Sequence, residues 1–186
     1  SPLDQAHCMT PCLNHRLEPG FARLRPIQES DLPRWLNYLR SDAVRQGISW
    51  RPQSTQARRE FVAATDPHGP VSQVRFAIAR TDDDTLLGTI GLHTISLAHR
   101  SADVGYDIAP DQWGQGLATA ACRAIVEWAR RQGFVRIQAT LLIGNQASLR
   151  VLERAGFEHE GRLRKYRWIE GRAHDVLVYS HLPAEP

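Results

Sequence analysis

The sequence contains very little lysine, and it has no long apolar run. Lys165 is the sole lysine of the 186 residues, although the net charge is +3. Arginine therefore carries the positive charge, a pattern that indicates compositional bias rather than a nucleic-acid interface. No segment approaches the roughly 18 consecutive apolar residues of a membrane span. We therefore expect neither a nucleic-acid partner nor a membrane-spanning protein.

Cysteine is also scarce, which excludes a disulfide-stabilised scaffold. Cys8, Cys12 and Cys122 cannot form a full disulfide framework, and Cys122 falls within an apolar helical pattern typical of a core residue. His7, Cys8, Cys12 and His15 gather four potential metal ligands, but their spacing matches no usual zinc pattern. We predict no metal site. The absence of a basic, apolar leader predicts a cytoplasmic location.

Length and composition predict one globular domain. A chain of 186 residues with 42% hydrophobic residues lies within the size of a single domain. We expect residues 1–19 to form a flexible N-terminal extension and residues 20–186 to form the domain.

The stretch Asp103–Ala129 predicts a strand, a glycine-rich turn and a helix. Val104, Tyr106 and Ile108 alternate with more polar residues, as in a half-buried strand. The apolar residues of the helix recur on one face: Leu117, Ala121, Ala124, Ile125, Trp128 and Ala129.

The turn between this strand and helix has two interpretations. Gly114 and Gly116 allow the backbone to turn tightly and to approach a ligand closely. The unpaired N–H groups of a helix that begins there suit a phosphate or pyrophosphate. The alternative is an ordinary loop. The dinucleotide fingerprint fails, because Thr119 replaces its third small residue, and no Gly-Lys-Ser or Gly-Lys-Thr of a P-loop is present.

Two motifs follow each other in the chain: Gly114-x-Gly116-x-Ala118, after a strand ending Gly105-Tyr106-Asp107-Ile108, and Asn145-x-x-Ser148-x-x-Val151-Leu152-Glu153-x-x-Gly156-Phe157. In this order and spacing they resemble the GNAT acetyltransferases, and most of all their RimJ/RimL-type protein N-terminal acetyltransferase branch. The resemblance covers roughly Gly20 to Leu182. Trp113 stands where many members carry Gln or Arg.

The order of the predicted elements agrees with that resemblance. Strands separated by helices in the middle of the chain, with hairpins at both ends, indicate a mixed sheet with helices on both faces. The expected fold is therefore α/β (α+β), the GNAT fold. Its central sheet would be mixed and mostly antiparallel, with six to seven strands and with helices on both faces.

The resemblance implies acetyl-CoA as cofactor and assigns residues to it. A backbone N–H near Ile108 would stabilise the oxyanion, and Asn145 would bind the cofactor arm. Arg150, with Arg154, would meet the 3′-phosphate, although solvated helix charges are the alternative interpretation of both arginines. The pyrophosphate would lie on the N–H groups of Trp113, Gly114, Gln115, Gly116, Leu117, Ala118 and Thr119.

Two residues are candidates for catalysis. Asp103 stands where the family strand often places Glu, so we nominate it as general base, although an Asp at a strand start is commonly a surface residue. Ser148 matches the position that the resemblance implies donates a proton to the coenzyme A sulfur. It also suits helix capping beside Asn145. Tyr106 and Tyr166 are alternative acids.

The acceptor is expected to be a primary amine, attacked directly in a ternary complex. An α-amine has a pKa of about 7.7 to 8.0 and a lysine of about 10.4, so a weakly placed base suits a protein or peptide N-terminus. Trp50, Tyr38, Tyr106 and Arg51 are candidates for substrate contact, with core or rim roles as the alternative.

Two other functions stay open at this point. One is acetylation of a small amine such as an antibiotic or polyamine. The other is a coenzyme-A-binding regulatory module without turnover. A homodimer is suggested only by analogy with relatives.

Overall fold

The computed structural model describes residues 15–47 apart from residue 19, residue 59, and residues 73–183. The sequence also predicts a helix over Thr55–Ala64, which except for Arg59 lies outside these ranges. So do Trp50 and Arg51, and the cysteines of the predicted N-terminal extension.

The described chain contains eight strands and four α-helices. The strands are β1 (His15–Leu17), β2 (Ala22–Pro26), β3 (Gln73–Arg80), β4 (Leu86–Ser96), β5 (Ser101–Ile108), β6 (Arg136–Leu142), β7 (Glu158–Ile169) and β8 (Arg172–His181). The α-helices are α1 (Leu32–Leu39), α2 (Asp42–Arg45), α3 (Leu117–Arg131) and α4 (Gln146–Arg154), and short 3-10 turns cover Glu29–Asp31 and Pro110–Gln112.

All eight strands form one sheet in the order β1-β2-β3-β4-β5-β6-β8-β7. The mixed, mostly antiparallel α/β fold is confirmed, but the expected six to seven strands are too few. The difference includes His15–Leu17, which pairs with β2 although we placed it in a flexible extension. A three-residue strand at the sheet edge has too short an alternation to be recognised from sequence.

The sheet opens beside its only parallel pair among the described strands. β5 and β6 pair over just three positions, Ser101–Asp103 with Arg136–Gln138. Beyond Asp103, β5 remains paired with β4 as far as Ile108, whereas β6 remains paired with β8 and no longer with β5. The second half of β5 therefore borders a gap in the sheet.

Helices cover both faces of the sheet, as predicted. The larger hydrophobic core lies under α3 and includes Phe76, Ile125 and the fully buried Cys122. A smaller core under α1 contains Trp35 and Tyr38. Because β5 is covered on both faces, the prediction of a half-buried strand was wrong at Asp107, which is buried with only 4% of its surface exposed.

A buried ion pair anchors the start of α1. The Arg25 guanidinium donates to both carboxylate oxygens of Asp31, at 2.7 and 2.8 Å, and also to Asp84 at the β3–β4 turn. Asp31 in turn accepts from the Gln28 N–H. These bonds fix α1 against the sheet and so position its Trp35 and Tyr38.

Among the described helices, none is both long and apolar enough to cross a membrane.

Candidate active site

Two cavities flank the gap between β5 and β6 and meet inside it. The larger has a volume of about 800 Å³ and the smaller of about 350 Å³. Because they share lining residues, the two cavities adjoin each other. The shared residues are Gly47, Tyr106, Asp107, Leu142, Asn145 and Ser148.

The glycine-rich turn and the first turn of α3 form one wall of the larger cavity. Gly114 and Gly116 both have φ +77°, the left-handed region that favours glycine, and a Cβ on either would meet nothing within 4 Å. Gly116 is the N-cap of α3 and offers no side-chain cap to the first N–H groups. Those N–H groups and the positive end of the helix dipole are therefore available to an anion.

The opposite wall comes from α4, which begins as predicted after Asn145. The Asn145 Oδ1 accepts from the Ser148 N–H at 3.1 Å, and its Nδ2 donates to the Gly47 carbonyl, also at 3.1 Å. The side chain thus caps the helix and joins it to the segment after α2. Arg150 and Arg154 line the same wall and give the larger cavity two positive charges.

Trp113 and Ile108 lie where the turn meets the gap. The Trp113 indole N–H donates to the Ile108 carbonyl at 2.9 Å. In the antiparallel ladder the Ala109 N–H donates to Leu87, so the N–H of Ile108, one residue earlier, points away from β4. The Ile108 N–H is therefore directed toward the gap, where the resemblance predicts an oxyanion donor.

Tyr106 and Ser148 face each other where the cavities adjoin. Burial raises the pKa of the Tyr106 hydroxyl, and the nearby Ser148 side chain lowers that pKa in part. Apart from Ser148, the buried hydroxyl has no hydrogen-bond partner among the described residues. A buried donor without a well-formed hydrogen bond is costly, so this hydroxyl is available to a ligand atom at the junction.

Asp107 forms a buried network that the sequence did not reveal. Its carboxylate accepts from the Tyr38 hydroxyl, from Thr89 Oγ1 at 2.7 Å and from the Trp35 indole at 3.4 Å. Arg75 lies 3.9 Å away. Burial raises the pKa of Asp107, while Arg75 and these hydrogen bonds oppose the rise. The Tyr38 side chain, a predicted substrate contact, is buried and its hydroxyl is directed to Asp107.

Asp103, the predicted general base, is half-buried near the base of the gap. Its carboxylate accepts from Gln138 at 3.3 Å. Burial raises its pKa, which favours a proton acceptor, and Arg167 and Arg136 lower it in part. Asp103 itself lines neither of the two cavities among the described residues.

The smaller cavity contains basic residues that the sequence analysis missed. Arg75 on β3, His93 on β4 and Arg167 on β7 all line it. Burial lowers the pKa of His93 to about 4, and the positive charges of the two arginines contribute to this shift. The imidazole is therefore neutral near pH 7. Only the topology of the sheet brings β3, β4 and β7 together at this cavity.

Tyr166, which the sequence analysis named as an alternative acid, lies on β7 and is 48% exposed.

The lining of the larger cavity fits a long anionic ligand. It combines an uncapped helix N-terminus, two arginines and the Tyr106 hydroxyl at its inner end. Asp107 is its only carboxylate among the described lining residues, and that group already accepts from three donors. In the described part of the chain, no cluster of three or more His, Cys, Asp or Glu side chains is placed to hold a metal ion.

An open sheet that splays between two parallel strands, with a glycine-rich helix start on one side and two adjoining cavities at the gap, defines the class of this α/β protein. The chain belongs to the acetyltransferase (GNAT) domain family, whose model matches residues 22–158. The resemblance drawn from the two sequence motifs is thereby confirmed.

Individual relatives agree with the family. The uncharacterized N-acetyltransferase YoaA of Bacillus subtilis is 39% identical over 108 residues, which are 58% of this chain and 61% of YoaA. The matches to the first relatives thus span about three fifths of their length.

Solved structures share the fold. Spermidine N-acetyltransferase of Vibrio cholerae, in complex with CoA and spermine, superposes with a TM-score of 0.77 at 21% identity and covers 89% of this chain and 97% of its own. RimL, a ribosomal L7/L12 α-N-protein acetyltransferase in complex with coenzyme A, superposes with a TM-score of 0.76 at 21% identity, covering 87% and 94%.

Proposed function

We propose that the protein transfers an acetyl group from acetyl-CoA to a primary amine, the N-terminal α-amine of a protein or peptide, by direct attack in a ternary complex. The observation that carries this proposal is the junction of the two cavities at Tyr106, Asn145 and Ser148. Two ligands that occupy the two cavities would meet there, so no covalent enzyme intermediate is required.

The larger cavity is assigned to the cofactor. When bound, acetyl-CoA supplies an activated acetyl thioester. The N–H groups from Trp113 to Thr119, in the glycine-rich turn and the first turn of α3, would hold its pyrophosphate, and Arg150 would hold its 3′-phosphate. The Ile108 N–H would stabilise negative charge that develops on the carbonyl oxygen. A related structure that contains coenzyme A supports this assignment.

Proton transfer is assigned to residues around the gap. Ser148 Oγ, at the junction, holds a proton that it can give to a leaving thiolate. The Tyr106 hydroxyl lies beside it and is the alternative donor. Asp103 lies outside the cavity lining, so as a general base it would accept the amine proton through water. Its raised pKa favours that role.

A small amine is the second candidate acceptor, since one neighbouring structure is named a spermidine acetyltransferase. The described acceptor side argues against a polycation, because Arg75 and Arg167 line the smaller cavity. A coenzyme-A-binding module without turnover is the third candidate.

Free thiol release from acetyl-CoA tests the proposal. The purified protein is incubated with acetyl-CoA and either N-terminal peptides or spermidine, with Ser148→Ala measured alongside. Cofactor affinity is measured separately by calorimetry. We expect turnover on the peptides, with a lower kcat and an unchanged cofactor Kd in the variant.

Other results would redirect the assignment. Turnover on spermidine alone would replace the protein N-terminus by a small amine. Tight cofactor binding without thiol release on any acceptor would indicate the non-catalytic module.

A further inference from the structure

The smaller cavity carries more positive than negative charge. Its charged lining residues are Arg75, Arg167 and Asp107, and His93 beside them is neutral near pH 7. The Asp107 carboxylate is already engaged by Tyr38, Thr89 and Trp35. The charges that face this cavity therefore favour an anionic group on the molecule that enters it.

A bulge in β7 accompanies the placement of Arg167. Leu163 pairs with Val176 and Arg167 pairs with His174, so three residues of β7 lie opposite the single Asp175 of β8. Lys165 within the bulge has φ +54°, and its N–H donates to Asp175 at 2.7 Å. Bulges commonly redirect a side chain toward a site.

The Arg167 side chain reaches back across β8 toward the gap. Its Nη2 donates to Thr140 Oγ1 on β6 at 3.3 Å, and its guanidinium lies 5.2 Å from the centre of the Tyr166 ring. Its Nε is buried without a hydrogen-bond partner among the described residues. A guanidinium carries five N–H donors in a fork that matches a carboxylate, so Arg167 retains donors for a ligand.

The Arg167 Nε has no carboxylate partner among the described residues. Asp103 lies near enough for the guanidinium to lower its pKa, and its carboxylate accepts from Gln138. Arg136, the other cation beside Asp103, is paired with Glu160 at 2.6 Å. Arg75, the other cation of this cavity, lies 3.9 Å from the Asp107 carboxylate and donates to Thr89, so Arg167 provides the net positive charge of the lining.

We propose that Arg167, supported by Arg75, forms an anion subsite in the smaller cavity that selects amine acceptors bearing a carboxylate close to the reacting amine. The acceptor class is a peptide N-terminus with Asp or Glu among its first residues. This inference rests on the proposed acetyl transfer, and it names the acceptor chemistry that the transfer prefers.

Matched acceptor pairs test the subsite. Thiol release is measured with peptides that differ only by Asp or Asn at the first residue, or by Glu or Gln at the second, and with free aspartate as a small-molecule source of the same chemistry. We expect kcat/KM for the preferred acidic peptide to exceed that of its amide partner by about tenfold or more, as for a charge-assisted hydrogen bond.

Variants then assign the preference to Arg167. Arg167→Gln should reduce the acid-to-amide ratio to about one. The ratio is the readout, because loss of the guanidinium also raises the pKa of Asp103 and so acts on both peptides alike. Arg164→Gln, an exposed arginine on the same strand, should keep the wild-type ratio. Circular dichroism melts of both variants check that they fold.

The outcomes separate the two proposals. Equal turnover of acidic and amide peptides by the wild-type protein would overturn the anion subsite and leave acetyl transfer intact, whatever the folding of the variants. A preference that survives in folded Arg167→Gln would likewise overturn it. Free aspartate as the only substrate would overturn the peptide class, and no turnover on any acceptor would refute acetyl transfer itself.

Discussion

The side-chain amide of Asn145 donates to the Gly47 carbonyl at 3.1 Å while its oxygen caps α4. Both residues line both cavities, so this hydrogen bond lies at the border of the site. Helix capping and the bond to Gly47 are therefore made by two ends of the same amide, and substitution can separate them.

Asn145→Ala should lose both functions. We expect a loss of about 1 kcal/mol in the free energy of unfolding from the missing cap, and up to about tenfold lower kcat/KM from the lost bond to Gly47. Asn145→Ser is the matched control, because serine caps as well as asparagine but does not reach as a donor. It should recover the stability and keep the kinetic defect. Full kinetic recovery in Asn145→Ser would show that the Gly47 bond has no role in turnover.

Ser148→Ala and Tyr106→Phe should differ in effect. Removing the Ser148 hydroxyl is expected to lower kcat about 100-fold, the range of general acid catalysis, with an unchanged cofactor Kd. Tyr106→Phe removes a buried hydroxyl without a well-formed hydrogen bond among the described residues, so thermal stability should not fall. Steady-state kinetics on both variants check this. A larger loss of kcat in Tyr106→Phe would make Tyr106 the proton donor.

Gly116→Ala should weaken cofactor binding beyond its effect on stability. The residue has φ +77°, and an added Cβ meets no protein atom within 4 Å. The left-handed backbone should cost about 1 to 2 kcal/mol, while the Cβ intrudes where the pyrophosphate would lie. Gly171→Ala is the control: φ is +79° with similarly open space, but the residue lies in the β7–β8 turn. Calorimetry should show weaker coenzyme A binding only for Gly116→Ala, and equal binding by both would contradict the assignment.

His93 should make stability depend on pH. Its pKa falls from the ordinary 6.5 to about 4 in the folded protein, so between these values the unfolded chain binds more protons. The contribution of His93 to the free energy of unfolding should therefore rise with pH from about 4 to 6.5. The same contribution should be lost as the pH falls through that window. Urea unfolding at several pH values, compared with His93→Gln, measures this. An identical slope in the variant would mean that another group carries the dependence.

The sequence predicted best what depends on neighbours along the chain. The Asn145 cap, the glycine turn at Gly114 and Gly116, and the helix after it all rest on residues within a few positions of one another, and each lies where expected. The family motifs added the cofactor and the fold class.

Sequence alone did not locate the residues that meet across the sheet. Arg75, His93 and Arg167 lie on three strands, and no spacing rule relates them. Asp107 was expected on a polar face, because alternation identifies two faces of a strand but does not show that α1 covers the second one. The buried acceptor of three hydrogen bonds was therefore missed, although Thr89 stands directly opposite it in the register.

The short parallel pairing of β5 with β6 divides the sheet into two unequal plates, one of five strands and one of three. Such plates are expected to exchange their amide hydrogens as separate cooperative units. A molecule that occupies both cavities would touch both plates at once. Substrate recognition would then be coupled to motion of one plate against the other, and the amides that border the gap would be less protected from exchange without a ligand than with one.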